Sequence, residues 1–326
     1  MSIKVGIPRA LLYYYYHPQW VTFLRRLGLE TILSRETTRG LLEQGLKSTV
    51  DEACLPVKLA VGHVLDLRGR ADYIFLPRIV STARKEYICP KFLGLPDMVR
   101  HTIDDLPLII DCSINLYHKG SSPADFYFRV GRYFTRNPAK IIMAYQASVT
   151  ALDKHRSDMQ SDGLPAGREH TVNGSGDGSG ITIAVIGHPY VIYDNYISMN
   201  MIKRLRKSGV RVLTADCLPE TLVREEASRL PKKLFWTINQ RMVGAAYHFF
   251  SREDVHGLIH VASFGCGPDS ITGELIERCA RDGSRKPLLS LTIDEHTGEA
   301  GMVTRLEAFL DMVRWRRNLN NVAATF

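Results

Sequence analysis

The chain has 326 residues, of which 45% are hydrophobic and 23% charged, with 42 basic and 34 acidic side chains for a formal net charge of +8. That length predicts about two domains, each able to bury its own core, and the composition excludes low-complexity, collagen-like and disulfide-stapled chains. The positive balance favours an anionic partner. The basic residues are spread out, with no zinc-finger spacing, ribonucleoprotein motif or basic arm, so nucleic acid is not the expected one.

Residues 3–7 predict a short apolar strand, turned by Gly6-Ile7-Pro8-Arg9. Helical spacing over 20–27 stops at Gly28, a second strand follows at 30–33, and a helix near 39–46. An apolar-periodic helix covers 55–67, a strand covers 73–76 up to Pro77, and another covers 108–110. A long helical stretch runs from about 125 to 154, and 157–180, polar and rich in Gly and Ser, predicts a linker.

The pattern then restarts with a strand at 181–186, followed by Gly187-His188-Pro189-Tyr190. A helix at 197–207 ends at Gly209, strands follow at 210–213, 258–261 and 288–292, and a closing helix covers 302–314. Strands alternating with helices predict an α/β fold of two doubly wound parallel-sheet domains, Rossmann- or flavodoxin-like, with additional helices. The predicted domains are 1–156 with a helical extension and 181–326, joined by the 157–180 linker. Both halves open with a strand, a Pro-containing turn and a tyrosine-rich segment, a weak internal repeat. The default site is a cleft at the carboxyl ends of the strands. No apolar run is long enough to span a bilayer, and Pro8, Arg9 and His17 interrupt any signal-peptide pattern, so the expectation is a cytoplasmic protein without a membrane partner.

Six cysteines occur, Cys54, Cys89, Cys112, Cys217, Cys266 and Cys279, with no C-x-x-C pair. Reduced thiols are expected. Cys54, Cys89 and Cys266 fall in turns that open helices and are flanked by Gly or Pro. Free N–H donors and positive potential at a helix start stabilise a thiolate, and they suit a negatively charged iron–sulfur cluster. Cys279 falls inside a helix and Cys112 and Cys217 at strand ends, where buried thiols usually pack. Spacing alone leaves ligation and packing both open for the first three.

Several segments resemble the acyl-CoA dehydratase activase-related family (DUF2229), related to the [4Fe–4S] subunits of 2-hydroxyacyl-CoA dehydratases. They are Ile7-Pro8-Arg9-Ala10-Leu11 with the tyrosines after it, Cys54-Leu55-Pro56-Val57-Lys58 with Gly62-His63-Val64, Cys89-Pro90-Lys91 with Gly94-Leu95-Pro96-Asp97, Gly265-Cys266-Gly267-Pro268-Asp269, and Asp294-Glu295-His296-Thr297-Gly298-Glu299-Ala300-Gly301 with Thr304, Arg305, Glu307, Ala308 and Phe309. The resemblance implies a two-domain α/β iron–sulfur protein holding a [4Fe–4S] cluster at the domain interface through Cys54, Cys89 and Cys266. A double-cubane [8Fe–9S] cluster on six cysteines is the lesser option.

It further implies an ATP-dependent activator protein as electron donor, an acyl-CoA substrate, and a homo- or heterodimer. The chain has no Gly-rich phosphate loop or Walker A pattern, so it is not expected to be the ATPase. Arg9 either meets an anion or pairs structurally, and His188 and Tyr190 are candidates to line the cofactor cleft. Lys58, Arg78, Lys85 and Lys91 are candidates to offset cluster charge, with a solvated surface the plainer reading for Lys85. Asp294, Glu295 and His296 either relay protons or cap the last helix and hold its loop. Two other classes stand beside the iron–sulfur reading: a non-catalytic scaffold serving a dehydratase-type system, and a cluster-free enzyme acting on a phosphorylated or CoA-linked molecule.

Overall fold

Short apolar runs bounded by Gly, Pro or polar residues become the strands, and the longer periodic stretches between them become helices. The computed structural model describes residues 2–162, 180–284 and 286–323. Contacts divide the chain into two units: Met1–Ser157 with Leu234–Ile238, and Asp158–Lys233 with Asn239–Phe326.

The first half of the chain forms β1 (Lys4–Ile7), α1 (Tyr13–Arg26), β2 (Glu30–Leu33), α2 (Arg39–Lys47), α3 (Leu55–Leu67), β3 (Tyr73–Phe75), β4 (Arg78–Ser81), α4 (Pro90–Thr102), β5 (Leu108–Ile110), β6 (Ser113–Asn115), α5 (Pro123–Arg132) and α6 (Pro138–Asp162). The second forms β7 (Thr182–Gly187), α7 (Pro189–Ile192), α8 (Met201–Lys207), β8 (Arg211–Thr214), α9 (Glu220–Ala227), α10 (Thr237–Ser251), β9 (Gly257–Ser263), α11 (Gly267–Asp282), β10 (Leu288–Ile293) and α12 (Glu299–Ala323).

The strands of the first unit pair in parallel in the order β2-β1-β3-β5, with β4 and β6 as a separate parallel pair. Those of the second pair in parallel in the order β8-β7-β9-β10. Leaving the side pair apart, both sheets have the same order: the first strand lies between the second and third, and the fourth lies outside the third. Each is a doubly wound α/β sheet of the Rossmann/flavodoxin type. Every residue of β7 is buried, as a strand covered by helices on both faces requires. The order reverses between β1 and β3 in one unit and between β7 and β9 in the other. At such switch points the loops leaving the carboxyl ends diverge and open a crevice.

Several elements differ from their predicted extents. The tyrosine run is helical: α1 begins at Tyr13 and buries Tyr13, Tyr14, Trp20, Phe23 and Leu24. Packing of that aromatic face outweighs the weak helix preference of tyrosine. The predicted helix over 125–154 is two helices; the Ser122 side chain caps α5, and α6 starts afresh at Pro138. α8 starts only at Met201, because Met199 and Asn200 take φ values of 50° and 58°, which a right-handed helix does not accept. α6 continues to Asp162, into the stretch read as linker, and residues 163–179 lie outside the described ones. The segment Leu234–Ile238 belongs with the first unit, where Tyr87 N–H donates to Phe235 O at 2.6 Å and Thr237 N–H to Tyr87 O at 2.9 Å. Among the described residues no helix is long and apolar enough to cross a membrane.

Candidate functional site

Cys54, Cys89 and Cys266 each occupy the position just before a helix, with Pro56, Pro90 and Pro268 in the first turns of α3, α4 and α11. Proline is at home there because first-turn N–H groups have no intrahelical acceptor. None of the three sulfurs caps its own helix. The remaining first-turn N–H groups and the helix dipole put positive potential beside each thiol. The Cys54 carbonyl accepts the N–H of Val57 at 2.9 Å and of Lys58 at 3.2 Å. Lys58 is only 4% exposed, so the fold buries a lysine side chain one turn into α3. In the first unit α3 and α4 pack against each other. Cys89 and Cys266 hold equivalent places, each opening the first helix after the third strand of its sheet.

The other three cysteines are set differently. Burial pushes the Cys112, Cys217 and Cys279 thiols up, which keeps them protonated and weakens them as ligands. Cys217 Sγ is occupied as an acceptor from Thr214 N–H at 3.2 Å. None of the six cysteines forms a disulfide.

In the second unit β7 and β9 are neighbours, and the turns leaving them bring His188 and Cys266 together. Gly265 takes φ +73°, a left-handed step that glycine accepts without strain, and so directs Cys266 to the start of α11. Asp269 follows in the first turn of that helix. His188 Nε2 lies 3.0 Å from Asp269 Oδ1 and 3.9 Å from Cys266 Sγ. One donor atom from each residue lies within 4.8 Å of the others. His188 is 3% exposed and Asp269 2%, while Cys266 is half-buried.

Asp269 is held on several sides. Ser263 N–H donates to Oδ2 at 3.4 Å, and Asn239 Nδ2 lies 3.5 Å from Oδ1 while donating to Thr272 Oγ1 at 2.8 Å. Burial alone would raise the Asp269 pKa. The charge and hydrogen bond of His188, with His260 and the Ser263 N–H, outweigh it and hold the carboxyl below its ordinary range. The Tyr190 ring stacks on His188 with centroids 4.8 Å apart and planes 8° from parallel. His260, buried on β9, has its pKa lowered by burial against the opposing pull of Asp269. His188 Nδ1 and His260 Nε2 are buried with no hydrogen-bond partner among the described residues. Nitrogen, sulfur and oxygen donors of this kind suit a borderline divalent metal or proton transfer.

The structure therefore gathers His188, Tyr190 and Cys266, and adds Asp269, Asn239 and His260, which sequence reasoning did not single out. The available signal was the position of Asp269 three residues after Cys266, where a first-turn carboxylate suits the dipole. Other predicted residues are engaged elsewhere. Arg9 donates its N–H to Ser34 Oγ at 2.8 Å and pairs with Glu36 at 3.4 Å. Arg78 is tied to Asp97 and Asp111 at 2.5 and 2.9 Å, in a network that includes Arg100. Lys85 is exposed and Lys91 partly so. Asp294 Oδ1 accepts from His296 N–H at 3.0 Å and Thr297 Oγ1 at 2.6 Å, so it closes the loop before α12. Glu295 and His296 sit in that loop, after a strand one place further out than β9.

No curated protein matches the chain. The family described as the CoA enzyme activase uncharacterised domain (DUF2229) matches residues 4–218, a span that takes in Arg9, Cys54, Cys89, His188 and Tyr190 and stops short of Cys266. With well over half of its length matched, the chain belongs to that CoA enzyme activase-related family.

Proposed function

We propose that the chain is the iron–sulfur component of a dehydratase-type system, in which Cys54, Cys89 and Cys266 hold a [4Fe–4S] cluster. The observation that carries this reading is the contrast among the six cysteines. Three stand directly before proline-marked helices, where N–H dipoles favour thiolate, whereas Cys112 and Cys217 follow strands and Cys279 lies inside α11. The donor set fits such a group: three thiols stand at helix starts, where the dipole favours negative charge. A bound cluster would supply one-electron chemistry at low potential. The electron donor in this reading is an ATP-dependent partner of the activator type, and the system acts on an acyl-CoA. His188 and Tyr190 border Cys266, Arg9 is the proposed anion contact of the first unit, and Glu295 and His296 are the proposed proton-handling groups.

The test is iron and acid-labile sulfide in protein purified without oxygen. About four of each per chain are expected, lost in Cys54→Ala, Cys89→Ala and Cys266→Ala and kept in Cys279→Ala. About eight iron would mark the double-cubane form. Folded, air-free protein with no iron would overturn the reading in favour of a non-catalytic binding module.

A further inference from the structure

We infer that the second unit by itself holds a site for a single divalent transition-metal ion of the zinc class, built from His188, Cys266 and Asp269. A tetrahedral ion with bonds of about 2.0–2.3 Å sets its ligand atoms roughly 3.3–3.8 Å apart. The His188 Nε2 to Asp269 Oδ1 distance of 3.0 Å and the His188 Nε2 to Cys266 Sγ distance of 3.9 Å bracket that spacing. The Cys266 sulfur and the Asp269 carboxylate lie within 4.8 Å of each other, so an ion would have to draw these two side chains together. One carboxylate and one thiolate balance the charge of a divalent ion.

The surroundings are those of a supported site. Asp269 is oriented by Ser263 and Asn239, and the His188 ring by its stack on Tyr190. Metal ligands usually carry such outer contacts. The nitrogen of His188 that faces Asp269 and Cys266 is Nε2, and the ring that carries it is buried. Cys266 is only half-buried, so the site is reached from the surface at its sulfur-bearing residue. The site also lies at the switch point of its sheet, where β7 and β9 part.

This inference goes beyond the cluster reading and does not rest on it. Cys54 and Cys89 take no part, and an ion or a cluster at Cys266 are alternative uses of one sulfur. The probe is Co²⁺, titrated into iron-free full-length protein under reducing, oxygen-free conditions. Thiolate-to-cobalt absorption saturating near one equivalent is expected in the wild type and in the Cys54→Ala/Cys89→Ala double variant. It should vanish in Cys266→Ser, and affinity should fall in His188→Ala and Asp269→Asn by more than the roughly 10- to 100-fold that loss of an outer contact costs.

The site is overturned if folded wild type shows no such band, if the band survives Cys266→Ser, or if His188 and Asp269 variants bind as wild type does. It is also overturned if the double variant loses the band, which would assign the cobalt to the three-cysteine set and leave the cluster reading standing. A cobalt band kept in protein that never loads iron would sink the cluster reading alone. Should His188→Ala fail to fold, His188→Gln and the half-buried Cys266→Ser carry the same test.

Discussion

Helices α2 and α3 meet backbone to backbone, and Gly45→Ala tests that contact. The buried face of α2 is Leu41, Leu42 and Gly45. A Cβ at Gly45 would stand 2.1 Å from the Lys58 carbonyl oxygen, and one at Gly62 would stand 2.4 Å from that of Leu41. Both obstacles are main-chain atoms, so no rotamer change relieves them, and the helices must part by roughly 1 Å. Overpacking of this kind costs about 1–3 kcal/mol, set against a helix-propensity gain of up to about 1 kcal/mol for alanine. A net loss of about 1–2 kcal/mol lowers the Tm of a unit this size by about 2–8 °C.

Gly40→Ala is the internal control. It lies on the same helix with nothing within 4 Å of its added Cβ, and should stabilise by about 0.5 kcal/mol. Thermal and urea unfolding followed by circular dichroism reads both variants. Because α3 begins beside Cys54, Gly45→Ala should also retain less iron than Gly40→Ala in anaerobic protein. A Gly45→Ala melt at or above wild type would refute the close-approach reasoning.

Two further outcomes follow from buried polar groups. Burial would raise the Asp66 pKa, but the Arg35 N–H at 2.8 Å, the Arg35 side chain and Arg70 outweigh it and hold the carboxyl low. A group depressed on folding contributes stability above its unfolded value and loses it as pH falls through the folded one, so this contribution begins to fade at about pH 4 and is gone only at lower pH. Asp66→Asn should therefore destabilise the protein by about 1–3 kcal/mol at neutral pH and flatten the acid limb of its stability curve; an unchanged limb in acid titration of unfolding would contradict this. Tyr193 is buried with its hydroxyl 2.8 Å from both Thr214 Oγ1 and Asp216 Oδ2, and Tyr193→Phe should cost about 1–2 kcal/mol in urea unfolding; a midpoint equal to wild type would show those bonds contribute nothing net.

Much of the secondary structure was legible because its signals are local. The run at β7 is short, apolar and bounded by Gly, and α3 has an apolar periodicity opened by a Pro. The three helix-opening cysteines were legible for the same reason, since Pro56, Pro90 and Pro268 lie within two residues of them. The helicity of the tyrosine run in α1 was not, because it depends on an aromatic face meeting its core: Trp20 packs on Phe75 and Phe23 on Tyr127. Asp294 read equally as a proton relay and as a cap, and hydrogen bonds to His296 and Thr297 give it the loop-closing part.

Local pattern thus sufficed for the α/β class, the repeated opening of the two halves and the thiols that begin helices. Each of these depends on neighbours only a few residues apart. The meeting of His188 with Cys266 and Asp269 depends instead on the parallel pairing of β7 with β9, where Gly187 aligns with Val261. The return of Leu234–Ile238 to Tyr87 depends on main-chain hydrogen bonds across a long stretch of chain. Apolar strands of similar length offer similar pairing surfaces, so their order is selected only when the helices of the whole unit pack on both faces of the sheet.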